Sequence, residues 1–97
     1  MPTFAWLARF GADFDALLPT EQDAFLRSAS QFVEDMKSGA GFRKGLRVKG
    51  VRGAPGIFEM TWANDGRATF EYGEPVIPGE SHIVWRRVGT HAILSQP

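Results

Sequence analysis

Cysteine is absent from the 97-residue sequence, which excludes disulfides, thiolate nucleophiles and sulfur-ligated metal centres. Histidine is almost as scarce: His82 and His91 are the only two, too few for a histidine-built zinc site. No apolar run approaches the ~20 residues that cross a bilayer, and no basic segment followed by an apolar one opens the chain. These absences point to a cytoplasmic protein with no membrane partner, no metal and no small-molecule cofactor. Net charge is missing too, since 11 Lys and Arg balance 11 Asp and Glu.

What is present is a single domain, residues 1–97, with ordinary apolar and charged fractions. At this size folding buries somewhat over ~60% of the surface of the unfolded chain. The neutral total hides a split. Residues 1–40 carry three basic against six acidic side chains, a net of −3, and residues 41–97 carry eight against five, a net of +3. A basic half suits a polyanionic partner.

Residues 3–18 follow helical spacing through Phe4, Leu7, Phe10, Phe14, Leu17 and Leu18, while the first few residues read equally as a short edge strand. Pro19 stops this element. Thr20 is the expected N-cap of a second helix over 20–38, with Asp23 three residues on. Phe25, Ala29, Phe32, Val33 and Met36 form its apolar stripe, a docking face rather than a ligand box, and Gly39 ends it.

The sequence then turns basic. Arg43, Lys44, Arg47, Lys49 and Arg52 fall within ten residues that contain no acid. Leu46 and Val48 mark a short strand there, with Arg47 and Lys49 on its outer face. Such a cluster serves phosphate binding or the protection of a sheet edge.

Next comes a β-hairpin, Gly56–Trp62 and Arg67–Tyr72. A three-residue loop, Asn64-Asp65-Gly66 with Gly66 left-handed, pairs Phe58 with Tyr72, Met60 with Phe70 and Trp62 with Ala68. That register buries one face and sets Glu59 against Glu71 and Thr61 against Thr69 on the other. Two glutamates so placed need a cation, which Arg86 or Arg87 supplies. The polar face is either a solvated, salt-bridged surface or a working one. Residues 75–81 form a projecting loop, and His82–Val88 the last strand. Ile83 and Trp85 claim one side of it as the inner face, Val84 and Val88 the other.

Three segments in this order resemble the RelE/ParE superfamily of bacterial toxins. Val51–Phe58 is similar to the family's Leu-Arg-Gly-x-Pro-x-x-Tyr entry into the central strand. Gly66-Arg67 with Phe70 and Tyr72 is similar to its return strand. Arg87–Ala92 is similar to the Arg-Thr-Gly-Thr-His ending of the YafQ branch. The resemblance implies an α+β fold with two N-terminal helices on a mainly antiparallel, twisted, four-stranded sheet.

It also implies a function: the toxin of a type II toxin–antitoxin system, a ribosome-dependent and metal-independent mRNA endonuclease partnered by a cognate antitoxin. In that reaction the RNA 2′-hydroxyl attacks the adjacent phosphate, which requires a base, cations for the pentavalent phosphate and an acid for the leaving oxygen. Arg67 matches the family's phosphate-binding arginine, and His91 the terminal histidine that moves a proton. Glu59 stands where RelE has a lysine. It is a candidate base by inference from glutamate-using relatives, or a salt-bridge partner of an arginine. Arg43, Lys44, Arg47, Lys49, Arg52, Arg86 and Arg87 are the candidate RNA-binding residues. The sequence lacks the aromatic expected near Ser95 and the middle histidine and aspartate of the YafQ branch. Two other readings stay open: a gyrase-poisoning toxin, which needs no acid or base, and a binding or regulatory domain that kept the scaffold without the chemistry.

Overall fold

The computed structural model describes residues 2–97. In chain order the elements are β1 (Thr3–Trp6), α1 (Ala8–Ala16), α2 (Pro19–Ser38), β2 (Lys49–Gly50), β3 (Ile57–Thr61), β4 (Gly66–Gly73) and β5 (His82–Thr90). Two 3-10 turns, Lys44–Leu46 and His91–Ser95, complete them. The fold is α+β, with both helices on one face of a mixed sheet ordered β1-β5-β4-β3-β2. The sheet has five strands rather than the expected four. The extra strand is β1, which takes the edge and runs parallel to β5, Thr3 opposite His82 and Trp6 opposite Trp85. A sheet edge overrides the helical spacing of these residues, and α1 begins only at Ala8.

Pro19 does not merely end the first helix; it opens the second at N1, where its missing N–H costs nothing. It holds Leu18, the residue before it, extended, and Leu17 is extended as well. The N-cap is therefore Leu18, not Thr20, and the Glu21 carboxylate accepts from the Leu18 N–H at 2.8 Å. Gly39 closes α2 in the left-handed region, as expected.

The core is aromatic. Phe32, with no exposed surface, lies 5.0 Å from Phe70 and 5.3 Å from Trp85 between ring centres. Phe10 and Phe25 extend the cluster, and Met60, Ala68, Ile83 and Val88 fill the sheet side.

The hairpin register differs by two residues from the expected one. Phe58 faces Phe70, Met60 faces Ala68, Glu59 faces Thr69 and Thr61 faces Arg67. The loop is Ala63-Asn64-Asp65, because Trp62 N–H donates to the Gly66 carbonyl at 3.1 Å. Gly66 is not left-handed; it is the first residue of β4. Its lack of a side chain serves a close approach instead, since a Cβ there would lie 2.6 Å from the Trp62 indole. A shift of two keeps every side chain on its face, so the apolar pattern alone did not exclude it. The Glu59–Glu71 clash disappears.

A bulge resolves the last strand. Thr69 pairs with Arg87 and Phe70 with Trp85, leaving Arg86 as an extra residue. Alternation therefore changes phase at Arg86, and Ile83, Trp85 and Val88 are all buried. The basic segment is also rearranged: Lys44–Leu46 is a 3-10 turn, Arg47 is left-handed, and the strand begins only at Lys49.

Candidate functional site

The β3–β4 turn and the C-terminal end of β5 meet at one end of the sheet, where Gly66 pairs with Thr90 and Arg67 with Gly89. This register carries the candidate residues to one place. Arg67 Nη1 donates to the carbonyls of Gly66 at 3.0 Å, Asn64 at 3.3 Å and Ala63 at 3.4 Å. Its Nε lies 3.8 Å from Glu59 Oε1. His91, just beyond β5, bonds through Nδ1 to Asp65 Oδ1 in the hairpin turn. The His91 and Asp65 side chains are both exposed, so the imidazole is open to a ligand.

Glu59 is different. It is only 5% exposed, with Arg67 diagonal to it on β4 and Lys49 as its cross-strand partner on β2. A carboxylate so enclosed holds cations in place, whereas a base must reach a substrate hydroxyl. The turn thus gathers one cation, one exposed imidazole and two carboxylates that orient them. Asp65 is not among the candidates read from the sequence; its signal was its place just before Gly66, two residues before Arg67.

The candidate RNA-binding residues divide into two groups. Lys44, Arg47, Lys49 and Arg52 are exposed, and their side chains make no hydrogen bond or ion pair among the described residues. Arg43, Arg86 and Arg87 are engaged within the chain. Arg43 binds Asp35 through Nε and Nη2 at 3.0 and 2.9 Å and Glu34 at 3.0 Å, tying the basic segment to the end of α2. The guanidinium holds the Asp35 carboxyl below its ordinary range, and the two carboxylates raise Arg43 in return.

Arg86 binds Glu71 at 3.0 Å and the Pro97 carbonyl at 3.1 Å. Arg87 binds Asp13 of α1 at 2.7 and 3.2 Å, a pairing that raises its pKa. Asp13 also accepts from the Val88 N–H at 3.2 Å, beyond the reach of the edge strand β1. These arginines hold elements together.

The polar sheet face is less open than its sequence suggests. The C-terminal turn packs on β4 and β5, and Thr69, fully buried, donates to the Pro97 carbonyl at 3.2 Å. His82 is not a free surface histidine either, since Nδ1 shares a hydrogen bond of 2.7 Å with Thr3 Oγ1 across the β1–β5 pair.

Among the described residues no group of three or more His, Cys, Asp or Glu is placed to hold a metal, and no helix is long and apolar enough to cross a membrane.

Neither a family model nor a curated protein sequence matches the chain. Solved structures do, and they define the class of fold: it is the RelE-like fold of toxins from toxin–antitoxin systems. Among them is YafQ from E. coli strain BL21(DE3), with TM-score 0.67 and 10% identity over 97% of this chain and 98% of that one. The YoeB/ParE toxin from Agrobacterium tumefaciens has TM-score 0.65 and 9% identity, over 92% and 98%. The RelB–RelE antitoxin–toxin complex from Methanococcus jannaschii has TM-score 0.60 and 13% identity, over 94% of each chain. At such identities the likeness is one of fold.

Proposed function

We propose that this chain is the toxin of a type II toxin–antitoxin system and that it cuts mRNA on the ribosome without a metal. The observation that carries the reading is the cluster at the hairpin turn, where Arg67, held by three backbone carbonyls, lies beside a turn whose Asp65 orients an exposed His91. Arg67 stabilises the charge that builds on the attacked phosphate, and His91 moves the proton on the leaving or attacking oxygen. Glu59 acts as a positioning residue: buried, it fixes Arg67 from the opposite strand. Lys44, Arg47, Lys49 and Arg52 supply unpaired cations for the RNA backbone. A cognate antitoxin is the natural protein partner, because similar folds include RelE bound to RelB and YafQ bound to DinJ.

A binding domain without chemistry is the second reading. Its support is that Arg67 Nη1 is already occupied by main-chain acceptors and that Glu59 is closed to substrate. Inducible expression in a bacterial host separates the two. Growth arrest with new codon-phased 5′ ends in translated mRNA supports the endonuclease. Arrest with intact mRNA and broken DNA points to gyrase poisoning, and no arrest at confirmed soluble expression supports the binding domain.

A further inference from the structure

Beside Arg67 a cavity of about 420 Å³ opens between α2, the Lys44–Leu46 turn and the hairpin turn. Ser28 and Gln31, three residues apart and therefore on one face of α2, line one side. Arg47 lines a second, and Trp62, Asn64 and Arg67 the third.

Three observations set this cavity apart. First, the Ser28, Gln31, Arg47 and Asn64 side chains make no hydrogen bond to any described residue, although all converge on one space. Second, Trp62 Nε1 is buried without an acceptor, and buried donors are almost always satisfied. Third, Arg47 is the one non-glycine residue at positive φ among the described residues, at φ 49°. A left-handed backbone is unfavourable for a long side chain and tends to persist at ligand sites.

We infer that this cavity is a nucleotide subsite for single-stranded RNA, reading one base beside the phosphate held at Arg67. The inference rests on the endonuclease reading and adds the source of its sequence preference. The Gln31 and Asn64 amides each offer a donor and an acceptor, the pattern that matches the Watson–Crick edge of an unpaired base. Ser28 adds a hydroxyl, and the Trp62 indole supplies an aromatic wall. Arg47 stands with Arg67 to take the flanking phosphates. An acidic peptide would use the two arginines but would leave the amides, the hydroxyl and the indole without a task, so the lining favours RNA.

The test uses the purified full chain and the four ribonucleoside 5′-monophosphates as probes, followed by amide and indole NMR signals. The expected result is a shift of the Trp62 indole N–H together with the Gln31 and Asn64 side-chain amides, strongest for one base. Gln31→Ala and Arg47→Gly should each weaken that binding about tenfold or more. Arg47→Gly should lose no thermal stability, because glycine accepts the left-handed backbone, so lost binding there reports on the side chain. Unmoved indole and amide signals at millimolar nucleotide overturn the subsite, as does displacement by polyglutamate alone. Ribosomal cleavage with unchanged base preference in Gln31→Ala sinks the subsite and leaves the endonuclease standing. Base-selective binding by a parent protein that cuts nothing keeps the subsite and sinks the endonuclease.

Discussion

Glu59 lies diagonally across the β3–β4 ladder from Arg67, not beside Glu71, with 3.8 Å between Oε1 and Nε. The buried carboxylate thus has its cation on the neighbouring strand rather than on β5. Arg67→Ala removes that cation and leaves Glu59 unpaired in a site 5% exposed. The expected cost is about 1–3 kcal/mol of stability, read by urea unfolding. Arg67→Ala/Glu59→Ala should recover part of it, and a double variant less stable than Arg67→Ala would show that the two do not interact.

His91 stands in the open, fixed by Asp65. As a proton-transfer group it should contribute about 10²–10⁴-fold to cleavage, so His91→Ala should slow single-turnover cutting by that factor while unfolding at the parent's urea midpoint. Asp65→Ala should have a smaller effect, because it frees the imidazole without removing it.

Phe32 touches Phe42, Phe70 and Trp85 and has no exposed surface. Phe32→Ala should cost about 3–5 kcal/mol, a large share of the ~5–15 kcal/mol that holds a domain folded. Thermal unfolding measures this directly.

Gly66→Ala would place a methyl group 2.6 Å from the Trp62 ring. Overpacking of this kind costs about 1–3 kcal/mol. The hairpin turn should shift with it, moving the amide signals of Arg67 and Asp65.

Arg43 lowers the pKa of Asp35 below that of the unfolded chain. A depressed carboxylate adds stability above its unfolded pKa of about 3.9, and that stability is lost as pH falls through the folded value. Arg43, raised by the same pairing, stays charged throughout. Asp35→Asn should therefore lower the melting temperature at neutral pH and flatten its fall below about pH 4. A parallel fall in both proteins would deny the linkage.

The sequence shows the helices and the hairpin well because their signals are local. Phe25, Phe32 and Gly39 declare α2, and the alternation around Phe58 and Phe70 declares which face is buried. What stayed hidden depends on pairing. The Glu59–Thr69 register keeps the same faces as the expected Glu59–Glu71 register, so only the Trp62–Gly66 contact decides between them. The bulge at Arg86 cannot be read from β5 alone, and it is why Ile83 and Val88 both point inward. Arg67 and His91 were legible as candidates, whereas Asp65 and the Ser28–Gln31–Arg47 cavity needed three separate segments to meet in space.

The most direct test of the central claim uses purified ribosomes carrying a defined mRNA with a single 2′-deoxy nucleotide on the 5′ side of the mapped cut. Attack by the RNA's own hydroxyl predicts that the all-ribose message is cut to a 2′,3′-cyclic phosphate end and that the deoxy message stays whole. The His91→Ala and Arg67→Ala proteins should be slow on the all-ribose message and should leave the deoxy message whole. Cleavage of the deoxy message at the same place and rate would contradict the account.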